Sequence, residues 1–288
     1  MENRETSTLH SATAAAGSAG LSPLSMFRCL YANRFLILRM SRREMESRFR
    51  GSRLGLAWVV LQPLLMLAVY TFAFGVVFQA RWGQGNSSSP WEYALFLFSG
   101  LLIFNVFSEV VGRAPTLMLE NTGYIKNIVF PIEILPVVTL VVAFFNFAIG
   151  VVVMFVLYLA QRGLPPQTVV LMFLPLLPLG LFTLGLGWFL AALGVYLRDL
   201  RQIVGILIAA LMFLSPLFYP VSALPETVRP IILLNPLASI IESMRDLVFF
   251  GRMPHWGNYL AGLAASVVVA WLGFIWFART RKGFADVI

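Results

Sequence analysis

Arginine dominates the chemistry available to this chain. Nineteen of its 21 basic residues are Arg, and the lysines are Lys126 and Lys282. Eight of the arginines fall between Arg28 and Arg53, directly ahead of a long apolar run. No compact soluble domain surrounds them, so they read as a membrane-orientation and anionic-lipid signal, not as a nucleic-acid patch. Metal or imidazole chemistry is poorly supplied: His10, His255 and Cys29 lie far apart in the chain. The acids near apolar stretches, Glu109, Glu133 and Asp199, are equally scattered. They form no pair for general acid–base work and read as ion-paired or capped helix ends. Gln62, Asn105 and Asn146 are the deep polar residues, and all are neutral. That argues against a proton relay, while leaving a sodium-coupled carrier open. A P-loop lysine follows a glycine, but Lys126 follows Ile125 and Lys282 follows Arg281. If this protein pumps, another polypeptide supplies the energy.

Aromatic side chains are the other chemical signal. Tyr70, Phe74 and Phe78 recur in one apolar stretch, and Phe213, Phe218 and Tyr219 close another. Their faces can stack on sugar rings along a conduit, or they can simply meet lipid and neighbouring helices.

The elements that must position these groups follow from composition. Of 288 residues, 59% are hydrophobic and 12% charged, against about 45–50% and about 25% in soluble domains. A soluble fold lacks the polar surface it would need, and a lone cysteine excludes a disulfide scaffold. Residues 1–25 are rich in Ser, Thr, Ala and Gly and read as a disordered tail. Residues 26–53 read as a basic amphipathic helix, placing Phe27, Tyr31, Phe35 and Leu38 in the membrane interface or against a partner domain. Six stretches, approximately 54–79, 93–112, 132–160, 167–196, 202–219 and 257–279, approach or exceed the roughly 20 residues that span a bilayer. The fifth is the shortest and ends irregularly at Ser215-Pro216 and Tyr219-Pro220. With the N-terminus in the cytoplasm, 16 basic residues fall inside and 5 outside, which predicts cytoplasmic termini. In the external segment 220–256, Ile231–Leu234 and Leu237–Phe250 are too apolar for a loop and too short to span, so they read as a re-entrant or interfacial helical hairpin broken at Asn235-Pro236. Glu242, Arg245 and Asp246 are expected together on its outer side. Residues 113–131 read as a short amphipathic helix begun by Pro115, or as a plain connection. Glu120, Asn121, Tyr124, Lys126 and Asn127 supply its polar and docking groups.

These motifs resemble a family. Arg48-Phe49-Arg50-Gly51-Ser52-Arg53-Leu54-Gly55-Leu56-Ala57-Trp58, Gln62-Pro63-Leu64 and Tyr70 to Phe78 look like the start of polysaccharide-exporting type-2 ABC permeases (Wzm, KpsM and TagG relatives). Asn121 to Asn127, Tyr196-Leu197-Arg198-Asp199-Leu200, Ser215 to Pro220 and Leu234 to Leu237 match further on. The resemblance implies an all-α, polytopic membrane protein with six transmembrane helices, an interface helix (26–53), a coupling helix within the membrane domain (54–280) and a short cytoplasmic tail (281–288). It implies a homodimer in the bacterial inner membrane, paired with two copies of an ATPase that binds ATP and Mg; this chain would carry no cofactor and no catalytic or metal site. The cargo would be an undecaprenyl-diphosphate-linked polysaccharide. Arg48, Arg50 and Arg53 would then face the diphosphate, the aromatics would line the conduit, Glu120 to Asn127 would receive the ATPase, and Asn235, Pro236, Glu242 and Arg245 would form an external gate. The alternatives are a drug or small-lipid exporter and a polytopic enzyme acting on lipid-linked sugars.

Overall fold

The computed structural model describes residues 23–48, 54–55, 57–77, 90–125 and 130–287. Arg50, Arg53, Phe78, Lys126 and Asn127, and most of the N-terminal tail, lie outside the described residues. Among those described there is no strand, so the fold is all-α.

The chain enters through two short helices, α1 (Pro23–Ala32) and α2 (Arg34–Arg48). The expected basic helix is therefore broken at Asn33, whose side-chain amide donates to the Cys29 carbonyl at 2.9 Å. Met26, Ile37 and Ser41 turn inward, while Phe27, Tyr31, Phe35 and Leu38 stay exposed. Arg34 lies over the Tyr31 and Phe35 rings at 4.3 and 4.5 Å. An exposed aromatic face carrying a cation suits the headgroup layer.

Among the described residues, five apolar segments are long enough to cross a membrane. The first is α3 (Ala57–Tyr70), continued by a π-helical stretch, Thr71–Val77. The second is α4 (Pro90–Glu120). It runs straight through Pro115, so that proline does not begin a separate helix. Proline lacks the N–H that would bond the Val111 carbonyl, and Gly194 packs so tightly there that a Cβ would lie 2.0 Å from the Pro115 oxygen. A single turn, α5 (Thr122–Ile125), follows. The third span is a 3-10 turn, Ile132–Ile134, and α6 (Leu135–Arg162). The fourth enters as 3-10 helix, Gln167–Phe173, and becomes α7 (Leu176–Tyr196). Pro175 and Pro178 delay its α-helical hydrogen bonding.

The fifth expected stretch differs. Its helix, α8, covers Leu200–Leu214, 15 residues, or about 22 Å at 1.5 Å per residue, short of about 30 Å of hydrocarbon. Ser215-Pro216 ends it, and the chain turns into the bundle, burying Leu217 and Phe218. A broken hairpin follows, made of α9 (Arg229–Leu233), α10 (Pro236–Arg245) and a π-helical turn, Asp246–Phe250. Asn235 caps α10 by accepting from the Leu237 N–H at 3.0 Å, and Pro236 occupies the first turn, where no N–H is required. Gly251, at φ +64°, ends the hairpin in the left-handed region. The last span is α11 (Trp256–Thr280). After a 3-10 turn, α12 (Phe284–Val287) tucks Phe284 into the core against Tyr196 and Phe277.

Burial is uneven. In the most apolar stretch of α4, 83% of residues are buried, against 11% for the first span. Thus α4 is the axis of the bundle, and α3 lies on its outside.

Candidate translocation site

The axis helix is not uniform. Every residue from Tyr93 to Phe104 is buried. From the middle onward one face opens: Asn105, Ser108, Glu109, Gly112, Arg113, Thr116 and Glu120 are exposed or half-buried. Steps of three and four place them on one stripe. The Asn105 side chain has no hydrogen-bond partner among the described residues and is exposed. A bare amide at mid-span cannot face hydrocarbon cheaply, so this stripe suits water or a polar surface and not lipid. Averaged hydropathy hid it, although the 3–4 spacing was present in the sequence.

The stripe ends in an ion-pair network that ties α4 to α2. Arg48 pairs with Glu109, and Arg113 pairs with Glu44. On each helix the two members are four residues apart and face their partners in reverse order, so α2 and α4 run antiparallel there. Asn146 of α6 donates to Glu109 at 3.1 Å. Glu120 accepts from Thr116 at 2.7 Å and pairs with Arg113 at 3.4 Å. Glu109 is ion-paired as expected, but inside α4 and not at a helix end, and its partner lies 61 residues away, which spacing cannot reveal. Arg48 is held by Glu44 and Glu109.

Of the residues expected to receive a partner, Glu120, Asn121 and Tyr124 gather around the end of α4. Asn121 donates to the Leu117 carbonyl at 2.8 Å and so finishes the helix. Tyr124 stacks on Phe130 at 4.4 Å between centroids, and its hydroxyl accepts from Arg43 at 3.3 Å. A cavity of about 190 Å³ opens between α2, the α4 end and the start of α6, lined in part by Arg43, Ser47 and Thr139.

At the other end of α4, the expected aromatics converge. Phe218 stacks on Phe74 at 4.5 Å and meets Tyr70 at 5.8 Å and Phe213 at 5.6 Å. Tyr93 donates to the Phe218 carbonyl at 3.1 Å. Tyr219 donates to the Phe213 carbonyl at 2.8 Å. Residues some 140 positions apart therefore form one cluster, with the Phe213 face exposed.

The hairpin behaves differently from its sequence expectation. Arg245 does not sit on the outer side. It is buried, and its guanidinium donates to the carbonyls of Phe96 (3.1 Å), Pro216 (2.6 Å) and Leu217 (3.2 Å) and to Glu242 (3.1 Å). These carbonyls come from an axis helix and from the break after α8, where the chain has left helical bonding. Gly100 makes room: a Cβ there would lie 2.9 Å from the Arg245 guanidinium and 2.9 Å from Leu217. Burial pushes the Glu242 carboxyl upward and draws Arg245 down to about 10, so the guanidinium remains a cation at neutral pH. Asp246 turns away to Arg252 at 3.9 Å, and burial raises it too. Asn235 donates to Ser215 at 2.9 Å and ties the hairpin break to the α8 end.

Residues 36–249 match the family model described as ABC-2 type transporter. An O-antigen export system permease protein, RfbA, of Myxococcus xanthus is 33% identical over 267 residues, spanning 92% of this chain and all of that protein. A protein of the same name from Klebsiella pneumoniae is 27% identical over 88% of this chain and 95% of its own length. The polysialic acid transport protein KpsM of Escherichia coli is 24% identical over 83% of this chain and 91% of its own.

Proposed function

The chain belongs to the ABC-2 type transporter family, and on that premise we propose that it is the membrane permease of a polysaccharide exporter. Its cargo is a lipid-linked glycan of the O-antigen class, carried across the bacterial inner membrane. The relatives' printed roles support the cargo class. The observation that carries the reading is the polar stripe of α4, with the bare amide of Asn105 at mid-span and the aromatic cluster beyond it. Hydroxyl-rich sugars need hydrogen-bonding groups on one side and flat apolar faces on the other. A drug or acyl-lipid exporter has no comparable use for an amide and charged stripe halfway across the bilayer.

The remaining parts follow. Both termini lie in the cytoplasm, as the basic-residue asymmetry requires. The exposed apolar faces of α3 and α8, including Val69, Phe72, Ile206 and Leu207, pack against a second copy and close the pathway around the polar stripes. A separate ATPase docks on the α4–α5 corner at Glu120, Asn121 and Tyr124, with Lys126 and Asn127 next in the chain, and binds ATP and Mg. Since α4 is continuous through Pro115, a push at that corner reaches Asn105 through one rigid rod. Arg48, with Arg50 and Arg53 beyond it, meets the diphosphate where the stripe opens. The Arg245-held hairpin, including Asn235, Pro236 and Glu242, closes the far end.

Cells depleted of this protein provide the test. Labelled full-length lipid-linked polymer should accumulate on the cytoplasmic face and disappear from the surface. Normal surface glycan in a strain without a paralogue would remove the reading, and loss of the polymer itself would favour an enzyme of its synthesis.

A further inference from the structure

Away from the pathway, α7 and α11 cross with their backbones in contact. A Cβ on Gly185 would lie 2.5 Å from the Val269 carbonyl oxygen, and one on Gly273 would lie 2.1 Å from the Gly185 oxygen. Beside this crossing an apolar cavity of about 380 Å³ opens to the bundle's outside. Phe189 and Trp276 wall it, their rings 5.6 Å apart, and both are exposed, as is Leu272. The lining on α11 runs from Val269 to Arg279, about 15 Å at 1.5 Å per residue. That is the hydrocarbon depth of one leaflet. Arg279 stands at the end of the groove. It is exposed and has no acidic partner among the described residues, whereas Arg281, two positions on, is taken by Glu133.

We propose that this groove between α7 and α11 binds an anionic phospholipid of the cytoplasmic leaflet, one acyl chain along Gly185, Leu272 and Gly273, its phosphate on Arg279. The length of one leaflet fits a phospholipid chain; a polyprenyl chain several times longer would overrun it. A free cation at the headgroup level selects net negative charge over zwitterionic lipid. The inference rests on the membrane orientation given above and not on the identity of the cargo.

Trp276 makes the site observable. The full chain is placed in nanodiscs of phosphatidylcholine with increasing phosphatidylglycerol brominated on its acyl chains, which quenches indoles in contact. The Trp276 signal is the difference between the protein and its Trp276→Phe variant. Half-quenching is expected at roughly fivefold lower mole fraction of brominated phosphatidylglycerol than of brominated phosphatidylcholine, the factor expected of one cation at an anionic surface. Arg279→Gln should bring the two lipids together, and Arg279→Lys should keep them apart. Equal quenching in the unmodified protein means non-selective lipid contact and overturns the proposal. So does a preference that survives Arg279→Gln. Relief of quenching by an equal mole fraction of undecaprenyl diphosphate would assign the groove to a polyprenyl lipid and overturn it as well. A protein that exports normally but shows no lipid preference separates failure here from failure of the exporter reading.

Discussion

Replacing Arg245 by Met tests whether the external hairpin is held by one guanidinium. Met keeps the apolar stem and removes the guanidinium, so four acceptors lose their donor: the carbonyls of Phe96, Pro216 and Leu217, and Glu242. Removing one member of a buried pair costs about 3–5 kcal/mol, and the 34% exposure of the Glu242 side chain puts this pair at the low end of that range. The Pro216 and Leu217 carbonyls lie outside regular helix and are left unsatisfied in addition. At about 1.4 kcal/mol per tenfold, the open hairpin becomes at least about two orders of magnitude more populated. Hydrogen exchange on the purified protein in nanodiscs should show amides of 237–250 exchanging faster by that factor, while α6 and α7 amides hold. Adding Glu242→Gln to the Met variant should recover part of the loss, since the stranded carboxylate is then gone. Unchanged protection in the single variant, or strict additivity in the double, would refute the assignment of Arg245 as the hairpin's anchor.

Other outcomes follow from the same geometry. Asn105→Leu should leave folding and protein level intact, because the site is exposed, yet lower surface glycan at least tenfold; undiminished export would take the polar stripe out of the pathway. Glu120→Arg places a cation beside Arg113 and should leave ATP hydrolysis by the reconstituted complex running without export, which a paired ATPase and transport assay reads directly. Gly185→Ala drives a Cβ into the α11 backbone and should cost about 1–3 kcal/mol as a lower Tm, whereas Gly205→Ala, with open space around it, should leave Tm unchanged or slightly raised. Phe284→Ala should cost about 3 kcal/mol by emptying a fully buried ring site, and a Tm equal to that of the parent protein would show that α12 is not part of the core.

The sequence revealed what depends on local averages. Long apolar stretches announced the spans, and Asn235-Pro236 marked a helix start that the structure uses as a cap and first turn. The aromatic residues near 70–78 and 213–219 could be named, but their convergence on Phe218 depends on the chain turning inward after Ser215. Arg245 illustrates the limit. Its partners are carbonyls 28, 29 and 149 residues away, and a carbonyl carries no residue-type signature. Pro115 looked like a helix start because proline favours the first turn; it sits mid-helix because Gly194 lets α7 close against it. The α2–α4 ion pairs were hidden for a related reason: Glu44, Arg48, Glu109 and Arg113 each look like ordinary flanking charges until two antiparallel helices align them.

The pairing of Glu133 with Arg281 bears on how the protein is made. Glu133 is buried at the start of α6, its carbonyl takes the Trp188 indole N–H at 2.9 Å, and its carboxylate is met by Arg281. The cation emerges from the ribosome about 150 residues after the anion, about 7–30 s later at ordinary synthesis rates. Through that interval Glu133 lacks this partner. The Glu133–Arg281 contact therefore forms only after the last turn of the polypeptide has been made.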